Sequence, residues 1–181
     1  RCRTVAGSRY VLVDFPEDVE FFQIECAVRC LRGAGYRPIL AHAERYRCLA
    51  SQMAWIEDFH NSGGVVQVNA ADAVGAWGRA AKSLWKKLVK SRLVDIVSSD
   101  GHNLTARQPK LSVCMDLLSR FCNAETVRAL TWENAWRVVR DEPLGTATED
   151  NFPERIPVAT SERIWGHGRN EKHGRDAKQG D

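Results

Sequence analysis

Three short stretches of this chain hold the residue types that do chemistry. In Ser98-Ser-Asp-Gly-His-Asn-Leu-Thr-Ala-Arg107, a carboxylate (Asp100) and an imidazole (His102) stand two residues apart, and Arg107 follows five residues later. Arg45 follows His42 by three residues, and Asp14 lies just before Phe15-Pro16. Carboxylate and imidazole donors suit divalent cations such as Mn, Fe or Zn, and guanidinium forks suit a phosphate. Together they point to metal-assisted attack on a phosphate ester. In such chemistry metals acidify water and neutralise phosphoryl oxygens, and arginines hold the charge that redistributes in the transition state. Gly101, between Asp100 and His102, reads as the residue that lets the backbone turn so that both donors aim at one point.

The elements that must position these groups follow from apolar patterning. Strands are predicted over 9–15, 38–41, 65–69 and 93–99, each a short run rich in β-branched residues. A helix over 17–33 carries Val19, Phe22, Cys26, Cys30 and Leu31 on its apolar face and closes at Gly33 and Gly35. A second, over 47–61, turns Leu49, Met53, Ile56 and Phe59 or His60 inward. After a small-residue loop from Ala70 to Gly78 comes a third, with Ala81, Leu84, Trp85, Leu88 and Val89 at helical spacing. Past Pro109, helices near 110–121, 124–130 and 132–140 rest on Leu111, Cys114, Met115 and Leu118, on Val127 and Leu130, and on Trp132, Trp136 and Val139. Strand and helix alternating four times predicts βαβ units and a parallel sheet or barrel. Three of the strands then end in a candidate ligand, at Asp14, at His42, and at Asp100 with His102, where parallel α/β folds gather their chemistry.

Composition narrows the class. With 181 residues and 44% hydrophobic content the chain can bury one core. Its 26 basic residues against 23 acidic ones are dispersed, which argues against nucleic acid as the main partner. No apolar run reaches the roughly 20 residues of a membrane span, so a cytoplasmic location is expected. None of the six cysteines forms a C-x-x-C pair, and free, mostly buried thiols are expected. The chain opens on Arg1 rather than Met, so it is expected to begin inside a longer protein. Residues 143–181, polar with isolated apolar residues, read as a disordered tail.

Plainer readings stand beside these. Asp100 and His102 fit a polar turn with an N-cap, His42 a satisfied histidine, and Asp14 turn chemistry. Arg45 and Arg107 fit ion-pair partners, for instance of Glu44. His60, His167 and His173 read as ordinary surface or tail residues. The Cys-x5-Arg spacing of cysteine phosphatases occurs at Cys26 to Arg32 and at Cys122 to Arg128. Neither has the glycine-containing phosphate loop that such a nucleophile needs.

Arg9-Tyr-Val-Leu-Val-Asp-Phe-Pro16, Arg37-Pro-Ile-Leu-Ala-His-Ala-Glu-Arg-Tyr46, Gln67-Val-Asn-Ala70 and Ser98 to Arg107 occur in order and together. This set resembles the bacterial PHP-domain (polymerase and histidinol phosphatase) protein-tyrosine phosphatases of capsular and exopolysaccharide operons. The resemblance implies an α/β fold, a distorted β/α, TIM-like barrel incomplete at its N-terminus, with residues 1–142 as the C-terminal two-thirds of the domain. It implies up to three divalent ions, usually Mn2+, and hydrolysis of phosphotyrosine on a cognate bacterial tyrosine kinase. By position, Asp14 takes the place of a bridging glutamate, His42, Asp100 and His102 are metal ligands, and Arg45 and Arg107 are phosphate clamps. The family's opening His-x-His and a further His and Glu have no counterpart in these residues. Two alternatives follow: a PHP phosphatase for a small ester such as histidinol phosphate, and a non-catalytic truncated module. Oligomeric state is left open.

Overall fold

Every predicted strand forms, and all four run parallel. The computed structural model describes residues 3–105 and 107–144. In it β1 (Tyr10–Val13), β2 (Arg37–Leu40), β3 (Val65–Asn69) and β4 (Ile96–Ser98) make one sheet in the order β1-β2-β3-β4. Leu12 pairs with Ile39, Ile39 with Val65, and Gln67 with Ile96. Sequential order with parallel pairing requires a crossover between each pair of strands. These are α1 (Phe21–Gly33), α2 (Met53–Asn61) and α3 (Gly78–Lys90), and α4 (Ser112–Leu118), α5 (Ala124–Arg128) and α6 (Asn134–Val139) follow β4. Among the described residues the sheet does not close on itself. The expected tail lies, from residue 145 onward, outside the described residues, as do His167 and His173. No described helix is long and apolar enough to cross a membrane.

Side-chain alternation gives the sheet two different faces. Leu40, Val66, Val68 and Val97 point into the main core, where they meet Ile24 and Val28 of α1, Ile56 and Phe59 of α2, and Leu84, Trp85 and Leu88 of α3. Burying each large side chain contributes about 1.5–3 kcal/mol. Tyr10, Ile39, Val65 and Ile96 lie on the other face and pack with Val138 of α6. Further along that face β3 and β4 carry Gln67, Asn69 and Ser98 in register. It is therefore apolar where the strands begin and polar where they end.

Several expectations are corrected. Helix α1 buries Ile24 and Val28, with Phe21 and Leu31 partly buried, while Phe22, Cys26 and Cys30 face solvent. Two apolar stripes compete on this helix, and branched side chains fill the core better than thiols. The described cysteines are free as expected, but only Cys114 and Cys122 are buried. Burial pushes both thiols up to about 11, which makes them inert and removes Cys122 as a nucleophile. Trp132, Trp136 and Val139 are exposed, because a π-helical turn over Ala129–Glu133 shifts the phase of the last helix, so that Asn134 and Val138 turn inward. Strand β4 starts only at Ile96: Asp95 Oδ2 accepts the Val66 N–H at 2.8 Å, which the ladder would otherwise use.

His60 is not an ordinary surface residue. Its Nε2 lies 3.0 Å from Asp95 Oδ1, and the ring is half-buried. The Asp95 hydrogen bond holds the imidazole above its ordinary value, against the opposing effect of burial. With the folded value raised, the pair contributes fully below the unfolded value of about 6.5 and fades as pH rises through the folded one. His60→Gln is therefore expected to cost about 1–2 kcal/mol at pH 5.5 and clearly less at pH 9. Urea midpoints at the two pH values measure this, and equal losses would contradict it. Gly64 gives a second prediction, since a Cβ there would overlap the ring of Phe59. That ring is buried, stacked on Trp55 at 5.3 Å and covered by the Arg32 guanidinium at 5.0 Å, so it has nowhere to move. Gly64→Ala should destabilise by about 1–3 kcal/mol in the same assay.

Candidate metal centre

All the candidate ligands collect at one edge of the sheet, because parallel strands deliver their C-terminal ends together. Asp14 follows β1 directly, His42 stands two residues past β2, Asn69 ends β3, and Asp100 stands two residues past β4. His42 (φ 34°) and Asp100 (φ 50°) are both left-handed, a conformation that costs a non-glycine residue about 1–3 kcal/mol. Gly101, by contrast, is not the turning residue. A Cβ on it would come within 2.9 Å of the Pro109 Cα, so its role is to let the returning chain close against it. Asp100 makes the turn itself.

The donors form two pairs. In the first, Asp14 Oδ1 lies 3.0 Å from His42 Nε2. Beside them is the buried Tyr46, whose hydroxyl accepts the Phe15 N–H at 3.0 Å. Burial raises its phenol, the Phe15 N–H lowers it, and Asp14 raises it again, so it stays protonated. His42 Nδ1 is buried without a hydrogen-bond partner among the described residues. In the second pair, His102 Nδ1 lies 2.8 Å from the Asp100 carbonyl oxygen. A carbonyl only accepts, so Nδ1 carries the proton and the lone pair is on Nε2 of a half-exposed ring.

Asp100 is the most constrained of the four. Its Oδ2 accepts from Arg107 Nη2 at 2.5 Å, Asn69 Nδ2 at 3.1 Å and Arg45 Nη1 at 3.3 Å. Burial pushes the carboxyl up, but Arg107, Arg45 and His102 outweigh it and hold it below its ordinary value. Among the described residues Oδ1 has no donor within hydrogen-bond distance, with His102 Nδ1 3.6 Å away. The loop behind it is self-tied, since Asn103 Oδ1 accepts the Arg107 N–H at 2.9 Å and the Arg107 carbonyl accepts the His102 N–H at 2.8 Å.

Beneath the donors lies a polar layer that sequence reasoning missed. The Gln67 side chain accepts the His42 N–H at 2.6 Å and donates to Asn69 Oδ1 and Ser98 Oγ, each at 2.8 Å. Asn69 then reaches Asp100, so one ladder connects the two pairs. Glu44 is not an ion-pair partner of Arg45. It is buried and accepts the Asn69 N–H at 2.8 Å, while Arg45 Nε bonds Asp72 at 2.8 Å. Burial, then the neighbouring Asp72 carboxyl, raise Glu44 well above its ordinary value. Glu44 Oε2 and Asp72 Oδ1 are both buried with no hydrogen-bond partner among the described residues. Arg45 itself is 8% exposed and lies over the Trp77 ring at 3.9 Å. Arg107 is 41% exposed. A glutamine and an asparagine inside a wholly buried strand were the available signal, because interiors admit such groups only with partners. Asp72, in a stretch of alanines, gave none.

The donor types fit a divalent cation. Two ligand atoms about 2.1 Å from one ion at about a right angle stand about 3.0 Å apart, which matches Asp14 and His42. Asp100 through Oδ1 and His102 through Nε2 would serve a second position. Among the described residues no three or more His, Cys, Asp or Glu converge on one point, so each pair offers part of a coordination shell.

Known proteins share this arrangement of sequence. Tyrosine-protein phosphatase CpsB of Streptococcus pneumoniae is 26% identical over 144 residues, covering 77% of this chain and 59% of that protein. Tyrosine-protein phosphatase YwqE of Bacillus subtilis is 27% identical over 137 residues, covering 76% and 54%. In three dimensions the chain resembles a structure from a crystallographic description of YwqE and CpsB as metal-dependent tyrosine phosphatases. The TM-score is 0.67 at 26% identity, covering 76% of this chain and 56% of that one. The chain thus spans about half the length of the relatives it matches. Residues 1–140 match the model of the capsular polysaccharide synthesis CpsB/CapC proteins, and the chain belongs to that family.

Proposed function

We propose that this chain carries much of the active site of a metal-dependent protein-tyrosine phosphatase linked to capsule or exopolysaccharide production. What supports the reading is the meeting, at one sheet edge, of cation-type donor pairs with a half-exposed guanidinium, Arg107, on a chain similar to proteins named tyrosine phosphatases. A barrel of the PHP type, a cytoplasmic location, Mn2+ as the ion and a cognate tyrosine kinase as substrate belong to the same proposal.

Asp14 and His42 would hold one cation, and Asp100 Oδ1 with His102 Nε2 another. Divalent ions so held supply acidified water and charge neutralisation at phosphorus. The chain's own residues do the positioning. Asp100 stays ionised because its guanidinium neighbours oppose protonation. Arg45, tied to Asp72, fixes Asp100 from beneath and adds positive charge to the phosphate site. Arg107 is exposed enough to exchange one of its donors from Asp100 to a phosphoryl oxygen, where its fork gives two bonds. His102, with its proton committed to a backbone carbonyl, keeps one orientation throughout.

Hydrolysis of a phosphotyrosine peptide with added Mn2+ tests the reading, run on this chain and on a form extended upstream of Arg1. In whichever form turns over, His102→Ala should lower the rate about 100-fold or more and weaken Mn2+ binding seen by calorimetry. Absence of turnover in both forms, or full activity of His102→Ala, would overturn it. The arginines separate in kinetics. Arg107→Lys, which loses the fork, should raise KM for the peptide about tenfold, with little change in unfolding temperature. Arg45→Lys should lower unfolding temperature and kcat together, because it leaves Asp72 and Asp100 under-paired inside the protein. A KM effect alone for Arg45→Lys would contradict its buried role.

A further inference from the structure

The end of the sheet opposite the metal centre holds a cavity of about 350 Å³. Tyr10, Arg37 and Val65 are the first residues of β1, β2 and β3, and all three line it. Arg32 and Tyr36, on either side of the turn that ends α1, close one side, and His60 with Asp95 closes another. This size lies within the range of small-ligand sites, and the site is separate from the strand-end donors by the length of the sheet.

Its charge is unbalanced. Arg32 spends one donor on the Phe59 carbonyl at 2.7 Å, and Arg37 spends one on the Tyr10 hydroxyl at 3.0 Å. Both acceptors are neutral. Neither guanidinium makes a direct ion pair among the described residues, although Asp141 lies within electrostatic reach of Arg37. The nearby acids are already committed: Asp141 accepts the Arg9 N–H and Arg9 Nε, each at 2.9 Å, and both Asp95 oxygens are taken by His60 and the Val66 N–H. Aromatic rings lie beside the two guanidiniums, Phe59 at 5.0 Å from Arg32 and Tyr10 at 5.4 Å from Arg37. Burial lowers Arg32 from its ordinary value. Two guanidiniums without a direct ion pair, lining one concavity, suit a phosphate dianion, and the space beside Tyr10 and Tyr36 leaves room for a small organic group on it.

We propose that this cavity is a second, non-catalytic binding site for a phosphate or a small phosphate monoester, held by Arg32 and Arg37. It is independent of the phosphatase reading, since none of its residues belongs to the metal centre.

The test uses the whole chain, freed of metal with EDTA so that the strand-end site contributes least. Inorganic phosphate and phenylphosphonate, which cannot be hydrolysed, are titrated by calorimetry and by amide NMR. Saturable binding is expected, with the largest shifts at Gly63, Gly64 and Val65. Arg37→Gln should weaken it at least tenfold, and Arg107→Gln should leave it unchanged. Arg37→Lys and Arg32→Lys keep the charge and should lose less than Arg37→Gln; equal unfolding temperatures separate this from misfolding. Tighter binding of phenylphosphonate than of phosphate identifies a monoester site, and equal binding a site for the free ion. Binding that follows Arg107→Gln instead, shifts confined to residues 98–107, or no saturation by either probe would overturn the proposal.

Discussion

One carboxylate oxygen governs the strand-end site. Asp100 Oδ2 collects donors from three directions: Arg107 on its own loop, Asn69 at the end of β3, and Arg45 past the end of β2. A partly buried carboxylate demands such partners, because leaving its charge unpaired costs more than most single contacts return. Each partner is itself held. Asn69 is fixed through Gln67 and Glu44, and Arg45 through Asp72 and the Trp77 ring. The ends of β2 and β3 and the loop after β4 are thereby set by one ionic constraint. Oδ1 is left outside this arrangement.

Much of this was legible in the sequence, for a physical reason. Short β-branched runs ending in polar residues have little choice but buried parallel strands, so Asp14, His42 and Asp100 had to arrive at one edge. The α3 pattern was equally plain, since Ala81, Leu84, Trp85, Leu88 and Val89 leave a single stripe to bury. Where two stripes competed, as on α1, patterning picked the cysteines and packing picked Ile24 and Val28. The phase of Trp132 and Trp136 depended on a π-turn that no local rule announces. Glu44 could not be recognised as a buried acid, because its counterpart Asp72 is 28 positions away. Long-range carboxyl pairing leaves no periodic trace.

The two ends of the sheet solve opposite electrostatic problems. Where the strands end, negative groups predominate and arginines from neighbouring loops compensate them. Where they begin, two arginines rest on aromatic rings, and the nearby acids are occupied elsewhere. The intervening face passes from Tyr10, Ile39 and Val65 to Gln67 and Asn69. A single face of four strands thus separates an anionic pole from a cationic one by an apolar band.

His42 and Asp100 occupy left-handed backbone where glycine would rest without strain. Holding a histidine and an aspartate there sets backbone strain of about 1–3 kcal/mol at each position against contacts that only their side chains make. Glycine at position 100 would relax the turn but strip Arg45, Asn69 and Arg107 of their shared acceptor. At these turns the backbone's preference and the side chain's partners pull in opposite directions.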